Sequence, residues 1–317
     1  MRRLAFTCLV LAACDHSSAT VDRDAAIDAR PDAAPCGFRT GMRGKTSRTL
    51  KVAGLDRTYI VYLPPMVDPS EPVPLVYVHH GYTMSGEAMY QITGYPALAD
   101  REHIAVVFPD GQGGPDAFVA PWNVGSNVCP AYGGPPPSAT GNDFAFLDAM
   151  KADIATDQCI DDAHVFVTGF SMGGYFSHHV GCMRDDIRAV APHSGGAHPF
   201  DTCTTGHKPV IIFHGTGDTI VPDGCDDPNV APPTGVTPSA TAWAAKNGCT
   251  GGISKMSVQG GTCAYYDGCP ADGQVAICTF DTMGHCWAGG VGPSIYACSS
   301  YAEATALEWA FFKQYAW

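Results

Sequence analysis

The sequence predicts an α/β fold in which helices cover both faces of a mostly parallel sheet. Short apolar runs that suit buried strands alternate with segments of helical spacing along most of the chain. The chain has 317 residues, enough for one large α/β domain and a short extension. Its hydrophobic content of 45% is sufficient to fill a sizeable core. We therefore expect one folded domain without internal repeats.

The N-terminal segment predicts an export signal and a tether. Residues 1–13 combine a basic start with an apolar stretch that is too short to span a bilayer. The run Leu11-Ala12-Ala13-Cys14 resembles a bacterial lipobox, which implies cleavage before Cys14 and a lipid on its thiol; an ordinary secretory signal with a chance cysteine is the alternative. Residues 14–35 are rich in Ala and Asp and predict a disordered tether. The folded domain is therefore expected over residues 36–317, held outside the cytoplasm by the lipid.

The first half of the domain is predicted to open with a hairpin and to continue with buried strands and helices. The opening strands are expected at 49–55 and 59–63, with residues 54–57 as the turn. The segments that follow are a buried strand at 75–81, a helical segment at 86–100, a second buried strand at 104–108 and a helix at 143–157 capped by Asn142 or Asp143.

The second half repeats the alternation of strand and helix. Its predicted elements are strands at 164–168, 189–191, 210–213 and 275–280, and helices at 175–183 and 301–315. The segments 112–140 and 222–238 are rich in Gly, Pro and Asn and predict long loops. Long loops in a compact domain often carry function.

Charge and cysteine content limit the function classes and the compartment. The formal net charge of -13 argues against nucleic acid binding, which depends on Lys and Arg. Two of the fourteen cysteines, Cys8 and Cys14, lie in the N-terminal segment, and the other twelve include no C-x-x-C pair. This pattern favours disulfides in an oxidising compartment over a zinc site, which would need close ligand pairs. Sequence does not give the connectivity, although Cys263/Cys269 and Cys286/Cys298 are close enough to be local bridges.

The strongest chemical signal is Val165-Phe166-Val167-Thr168-Gly169-Phe170-Ser171-Met172-Gly173-Gly174. A buried strand enters G-x-S-x-G and a helical pattern follows, which is the arrangement of a nucleophile elbow in α/β-hydrolases. Such a turn holds Ser171 in a strained conformation above the sheet edge and aims the amide of Met172 at the same point. The pentapeptide alone would fit an ordinary Gly-rich turn, so the flanking strand and helix carry the prediction.

A serine nucleophile needs a base and a carboxylate that orients the base. In α/β-hydrolases the chain order is Ser, then Asp or Glu, then His. Asp218 follows a buried strand at the sheet edge where active sites form, whereas Asp223 and Asp226 are competing loop acids. His285 is the only histidine after Asp218, so this order makes it the base. His214, at a strand end, is predicted to be structural or to line the site wall.

Two further predictions concern what a reacting ester would contact. The oxyanion needs donors, which we assign to the amides of Met172 and of Tyr82, the latter next to the strand-ending Gly81. Side chains that could contact substrate are His80, Trp122 and Trp287, with Tyr82 and Tyr132 as further aromatic candidates; loop packing is the alternative for each of the aromatic residues.

Several motifs together resemble the secreted feruloyl esterase and polyhydroxybutyrate depolymerase group of α/β-hydrolases. They run in the group's order from about residue 49 onward: V-H-H-G-Y, F-P-D-G, P-W-N-V-G, D-Q-C-I-D-D-A-H-V-F-V-T-G-F-S-M-G-G, A-V-A-P-H-S-G, H-G-T-G-D-T-I-V-P and G-H-C-W-A-G-G. The resemblance implies a Ser-His-Asp esterase that uses Ser171, His285 and Asp218 and needs no metal or organic cofactor. Cys286 departs from the small polar residue that usually follows the histidine, and Tyr82 is bulky for the oxyanion position.

The sequence therefore predicts an extracytoplasmic serine carboxylic ester hydrolase that is lipid-anchored at Cys14. A feruloyl esterase-like activity on hydroxycinnamoyl esters of plant polysaccharide is expected first, and a polyhydroxybutyrate or polyester depolymerase is the alternative. A peptidase is a more distant alternative, because the same triad cleaves amides. From another class, the chain could be a non-catalytic binding lipoprotein on a hydrolase scaffold. Its expected partners are a small or polymeric ester and, through the lipid alone, a membrane.

Overall fold

The computed structural model describes residues 36–37, 39–117, 119–125, 142–196, 202–221 and 238–316. Within these ranges the strands are β1 (Gly44–Val52), β2 (Leu55–Leu63), β3 (Val73–His79), β4 (Ala105–Pro109), β5 (Ile160–Phe170), β6 (Ala189–His193), β7 (Val210–Gly215), β8 (Ile253–Val258), β9 (Gly261–Tyr266), β10 (Val275–Phe280), β11 (Trp287–Ala288) and β12 (Ala297–Cys298). The helices are α1 (Gly86–Ile92), α2 (Tyr95–Glu102), α3 (Asp143–Ile154), α4 (Met172–Met183), α5 (Pro238–Lys246) and α6 (Ala304–Phe312), and a 3-10 turn, Lys313–Tyr315, follows α6.

Ten of these strands form one sheet in the spatial order β1-β2-β4-β3-β5-β6-β7-β10-β9-β8. The six central strands, from β4 to β10, are parallel, and an antiparallel hairpin extends the sheet at each end. This architecture confirms the predicted mostly parallel α/β fold. Because the parallel strands all run the same way, their carboxyl ends share one edge of the sheet, and the chemically important loops leave from that edge.

The core consists of two apolar clusters on opposite faces of the sheet. Neighbouring residues on each central strand alternate between the clusters, as Phe166 and Val167 do on β5 and as Ile211 and Ile212 do on β7. Most of these side chains have no exposed surface. Strands buried on both faces explain why the sequence shows continuous apolar runs here rather than a polar and apolar alternation.

The helical segment predicted at 86–100 is divided into α1 and α2. Gly94 has a φ of 73° between the two helices, and proline lies in the first turn of α2. Glycine adopts this left-handed conformation readily, and proline is tolerated in a first turn because it lacks only an amide that has no helical partner. The predicted helical segment is therefore present, but it is interrupted between Ile92 and Tyr95 and continues to Glu102.

Three elements in the C-terminal part of the chain, α5, β8 and β9, were not predicted. Strand β8 is the outermost strand and is exposed along nearly its whole length. It therefore lacks the buried apolar face on which a strand prediction depends. Helix α5 begins at Pro238, where the sequence predicted the end of a long loop.

Five disulfides lie within the described residues: Cys36–Cys159, Cys182–Cys203, Cys249–Cys269, Cys263–Cys278 and Cys286–Cys298. The predicted Cys286–Cys298 bridge is present, but the Cys263–Cys269 bridge is wrong. Cys263 faces Cys278 across the β9–β10 pair, so strand register decides this pairing, whereas sequence distance does not. Cys129 and Cys225 lie outside the described residues.

The predicted signal sequence, the lipidation site at Cys14 and the tether also lie outside the described residues. So do Tyr132, Asp223 and Asp226. In the part of the chain that is described, no helix combines the length and the hydropathy that crossing a bilayer requires.

Candidate active site

Ser171 lies on the sharp turn between β5 and α4, as the sequence predicts. Its φ is 56°, a left-handed conformation that is unusual for a residue with a side chain. A Cβ atom at position 169 would lie 2.4 Å from the carbonyl oxygen of Gly173, and one at 173 would lie 2.3 Å from that of His79. Both distances are too short for any side chain, so only glycine fits on either side of the turn. The amide of Ser171 donates to the carbonyl oxygen of His193 over 2.9 Å.

Asp218 lies just beyond β7 and its carboxyl group is fully engaged. One oxygen, Oδ1, accepts hydrogen bonds from the amides of Ile220 and Val221, each over 2.9 Å. The other, Oδ2, lies 2.7 Å from Nδ1 of His285. The side chain has no exposed surface. Its orientation is therefore determined on both sides, by the backbone turn and by the imidazole.

The pKa of Asp218 reflects a competition between burial and hydrogen bonding. Burial alone would raise it, but the hydrogen bond and the charge of His285, the charge of His214 and the amide of Val221 lower the pKa below its usual value. Asp218 is therefore a carboxylate at neutral pH. A carboxylate only accepts, so it holds the proton of His285 on Nδ1 and leaves Nε2 as the basic nitrogen.

His285 lies in the loop that follows β10, next to the residue that precedes Ser171. The centroid of its ring is 4.7 Å from that of Phe170, and 8% of its side-chain surface is exposed. Directly after it, the disulfide of Cys286 with Cys298 fixes the loop to β12. The three predicted residues of the triad thus come from the carboxyl ends of three parallel strands, β5, β7 and β10.

The loop after β3 reaches the same turn from the other side. A Cβ atom at Gly81 would lie 3.1 Å from Cβ of Ser171, so this loop packs directly against the serine. The carbonyl oxygen of Tyr82 accepts from the amide of Ala120 over 2.9 Å, which orients the loop. Counting hydrogen bonds to described residues only, the amides of Tyr82 and Met172 donate to none. Within the described part of the chain, both predicted oxyanion donors therefore have no competing acceptor.

The side chains predicted to contact substrate are buried, and this prediction needs correction. His80, Trp122 and Trp287 have no exposed surface. The indole nitrogen of Trp122 donates to the carbonyl oxygen of His80 over 2.9 Å, and that of Trp287 donates to the hydroxyl of Thr305 over 3.2 Å. Their polar contacts are with neighbouring protein groups, so we assign them structural roles.

His80 shows why a histidine next to a catalytic loop can be structural. Its Nε2 accepts from the amide of Gly111 over 2.8 Å, and its Nδ1 lies 2.6 Å from the carbonyl oxygen of Gly81. Burial lowers the pKa of His80 to about 4, so the ring is neutral and can hold both bonds at neutral pH. His214 is also buried; its Nε2 lies 2.8 Å from the carbonyl oxygen of Val221 and 3.9 Å from Asp218 Oδ2.

Sequence reasoning missed two residues beside the site, His193 and Tyr296. The ring of Tyr296 is 6.0 Å from that of Phe170, and its hydroxyl oxygen lies 3.5 Å from that of Thr83 on the loop after β3. His193 ends β6, on the edge that carries Ser171 and Asp218. That position was a usable signal for His193, whereas nothing in the pattern around Tyr296 indicated the site. For metal binding, the described residues offer no group of three His, Cys, Asp or Glu side chains that could hold an ion.

Comparison with known proteins identifies relatives among esterases. The model of the Esterase family matches residues 51–247, which include the elbow and Asp218. Feruloyl esterase B of Piromyces equi is 28% identical over 248 residues, covering 72% of this chain and 42% of that protein. Feruloyl esterase C of Emericella nidulans is 30% identical over 197 residues, covering 61% of this chain and 63% of that protein. The chain thus spans less than two thirds of the length of these curated relatives.

Solved structures agree on the fold. Acetyl xylan esterase from Aspergillus awamori superposes with a TM-score of 0.56 at 15% identity, covering 84% of this chain and 99% of that one. A puromycin-hydrolyzing peptidase of Mycobacterium tuberculosis superposes with a TM-score of 0.51 at 15% identity, covering 86% and 39%. Identities this low concern the fold alone. Together with the family match they confirm the predicted α/β-hydrolase fold.

Proposed function

Because the chain belongs to the Esterase family, we propose that it hydrolyses carboxylic esters with Ser171 as its nucleophile. Ser171 is half-exposed on the elbow at the sheet edge, and the ring of its neighbour Phe170 lies 4.7 Å from that of His285. Within the described residues, the nearby amides of Tyr82 and Met172 donate to no other group. These are the groups that acyl transfer requires: a nucleophile, a base and donors for the oxyanion.

The proposed reaction follows from the roles of these groups. Nε2 of His285 takes the proton of the Ser171 hydroxyl as the serine oxygen attacks the ester carbonyl. The negative charge that develops on the carbonyl oxygen is stabilised by the two amides. The imidazolium returns the proton to the leaving alcohol, which breaks the ester bond and leaves an acyl-serine. Water, activated by the same nitrogen, then releases the acid.

The observation that carries this proposal is the buried hydrogen bond between Asp218 and His285. An acceptor fixed by two backbone amides determines both the tautomer and the direction of the imidazole. It also stabilises the imidazolium that forms during each proton transfer. Its position between the carboxyl ends of β7 and β10, next to the elbow, supports a catalytic rather than a purely structural pair.

For the substrate class we propose hydroxycinnamoyl esters of plant polysaccharide. The support is that relatives from two organisms, Piromyces equi and Emericella nidulans, are named feruloyl esterases. The polyhydroxybutyrate depolymerase alternative rests on the motif resemblance alone. The aromatic side chains Tyr82 and Tyr296 beside the elbow are half-exposed and suit a planar acyl group.

One assay tests both the chemistry and the substrate class. The full chain is incubated with methyl ferulate and, in parallel, with emulsified polyhydroxybutyrate, and Ser171→Ala is treated identically. We expect release of ferulate by the wild type and loss of at least about three orders of magnitude in kcat for Ser171→Ala. Turnover of the polymer alone would favour the depolymerase. Turnover of neither, or full activity of Ser171→Ala, would contradict the proposal and favour a binding protein.

We also propose an extracytoplasmic location with a lipid at Cys14. Ten cysteines in five disulfides suit an oxidising compartment. The lipobox-like run supplies the proposed anchor. Mass analysis of the mature N-terminus is the test: a lipidated Cys14 is expected, and any other start contradicts the anchor.

A further inference from the structure

We propose that His193 is a positioning residue that connects the nucleophile turn to the loop of the base. The inference rests on the proposed function, because it assigns a role relative to Ser171 and His285. The hydrogen bonds of its ring nitrogens are to Ser194 and Ala288, so His193 acts through other residues and is not itself a reacting group. Its backbone carbonyl accepts a hydrogen bond from the serine turn, and its imidazole accepts one from the loop that follows His285.

The backbone contact fixes the serine. His193 is the last residue of β6 and pairs with Phe170 at the end of β5. Its carbonyl oxygen accepts the amide of Ser171 over 2.9 Å. Ser171 has a φ of 56°, and a residue in that region keeps it only where neighbouring contacts over-determine the backbone. This hydrogen bond is one such contact.

The ring contact fixes the loop of the base. Nε2 of His193 accepts the amide of Ala288 over 3.1 Å, three residues after His285. The imidazole also stacks on the indole of Trp287, with ring centroids 4.8 Å apart and an interplanar angle of 18°. A single buried residue therefore contacts the chain on both sides of the site, through two different groups.

The ring can hold this amide only while it is neutral. An amide always donates, so Nε2 of His193 must be the unprotonated nitrogen and Nδ1 must carry the hydrogen. Nδ1 lies 3.2 Å from the hydroxyl oxygen of Ser194 and donates to it. Burial, followed by the nearby His214 and His285, lowers the pKa of His193 well below its usual value. The acceptor is thus preserved even when His285 becomes charged during turnover.

Loss of the Ala288 contact should affect the chemical step more than substrate binding. Movement of about 1 Å between a nucleophile and its base can cost about a hundredfold in rate. Of the two side chains proposed to meet substrate, Tyr82 lies on the loop after β3, and Tyr296 is held by a separate bond, from the amide of Trp287 to its carbonyl oxygen over 2.8 Å. A variant without the acceptor should therefore have a lower kcat and an unchanged KM.

The test compares His193→Gln with His193→Asn. The amide oxygen of glutamine can occupy the place of Nε2 and accept from Ala288, whereas asparagine is one methylene too short. The matched controls are His178→Gln and His178→Asn. His178 is also fully buried and stacked on an indole, that of Trp243, but it lies two turns along α4 from Ser171. Thermal melting of all four variants separates loss of stability from loss of activity.

For His193→Asn we expect kcat on methyl ferulate to fall about 10- to 100-fold with KM within about twofold of the wild type. His193→Gln should recover most of that kcat, and the His178 variants should keep the wild-type kcat. Equal kcat in His193→Asn and the wild type, or equal losses in the His193→Asn and His178→Asn variants, would overturn the inference. If Ser171→Ala were active, the proposed function would fail instead, so the two failures are distinguishable.

Discussion

Two buried carboxyl groups, those of Asp218 and Glu308, have opposite pKa shifts because their neighbours differ. Asp218 accepts from two amides and an imidazole, and its pKa is lowered despite its burial. Among the described residues, the carboxyl group of Glu308 has hydrogen bonds with the hydroxyls of Tyr95 and Thr168 alone, and burial raises its pKa to about 8. Burial thus makes a carboxyl group neutral unless charged or amide donors compensate for the lost water.

Replacing Asp218 with asparagine tests the orienting role of its carboxylate. The amide can present a donor to Nδ1 of His285 and stabilise the wrong tautomer, so kcat should fall by about 10³- to 10⁴-fold with little change in KM. Asp272→Asn is the matched control, since Asp272 pairs with His207 over 3.1 Å but both side chains are exposed. Steady-state kinetics on methyl ferulate decide the point. A kcat for Asp218→Asn within tenfold of the wild type would disprove the orienting role.

A methyl group at Gly81 tests the loop that we propose supplies the second oxyanion donor. The added Cβ in Gly81→Ala would lie 3.1 Å from Cβ of Ser171 and 3.2 Å from Sδ of Met84. Because the loop must shift by a few tenths of an ångström, the amide of Tyr82 moves away from the oxyanion, and kcat should fall about 10- to 100-fold. Gly206→Ala, where no atom lies within 4 Å of the added Cβ, should leave kcat unchanged. Equal rates in the two variants would contradict the assignment.

The elements that the sequence predicted best are those buried on both faces. Strands β3, β4, β7 and β10 appear as continuous apolar runs, and their predicted limits differ from the observed ones by only a few residues. Strand β8 was missed because an exposed edge strand is held by pairing with β9, and pairing leaves no local pattern. Local sequence thus reports burial better than it reports strand pairing.

The β11–β12 pair is the element that we expect to matter most for the base. Removing its disulfide with Cys286→Ser and Cys298→Ser should reduce kcat, because the loop of His285 loses its fixed end. The control removes Cys249–Cys269, which joins the end of α5 to the turn before β10, away from the carboxyl edge of the sheet. The loops closed by the two disulfides span 12 and 20 residues, so both variants should lose comparable stability, about 3 kcal/mol.

Activity measured well below the melting temperatures of both variants distinguishes the effect of each disulfide on catalysis from its effect on stability. We expect the kcat of the Cys286→Ser/Cys298→Ser variant to fall by about tenfold or more. The Cys249→Ser/Cys269→Ser variant should retain wild-type kcat. Equal kcat values in the two variants would mean that the β11–β12 disulfide contributes only to stability.

At the scale of the whole molecule, Glu308 links three separate elements on one face of the sheet. From α6 it contacts the hydroxyl of Tyr95 on α2 over 2.6 Å and that of Thr168 on β5 over 3.1 Å. The hydroxyl of Thr168 also donates to the carbonyl oxygen of Ala191 over 2.7 Å. A protonated Glu308 can therefore donate to the oxygen of Thr168. This places a neutral carboxyl group at the centre of the packing between α2, α6 and the elbow strand.

This carboxyl group makes stability depend on pH. The unfolded chain releases the proton of Glu308 near pH 4.5, the ordinary pKa, whereas the folded protein holds it up to about pH 8. Since the folded state binds more protons in this window, the free energy of unfolding should fall as pH rises from about 5 to about 8. The fall should be at most about 1.4 kcal/mol per pH unit.

Urea unfolding of the wild type and of Glu308→Gln at several pH values measures this contribution. The difference in the free energy of unfolding should change steadily in favour of Glu308→Gln as pH rises through the window. Parallel pH profiles for the two proteins would show that Glu308 is not protonated in the folded state.

The site was predictable from sequence to the extent that chain order and strand ends determine it. Ser171, Asp218 and His285 each follow a buried strand, and parallel strands bring such positions to one edge. Substrate contacts were not predictable in this way. Trp122 and Trp287 adjoin the site in sequence motifs, but whether an aromatic ring points into a pocket or into the core depends on packing between distant segments.

The Cys36–Cys159 disulfide has a mechanical consequence. It joins the start of the domain, ahead of the edge strand β1, to the residue that precedes the central strand β5, across 123 residues of sequence. If the chain is tethered at its N-terminus, any pulling force enters at Cys36 and passes through the sulfur atoms to the middle of the sheet. Among the described strands β1 pairs with β2 alone, so it would separate first under tension, but the load bypasses it. The disulfide therefore transfers tension past the edge strand, so pulling on the N-terminus would not separate β1 from β2.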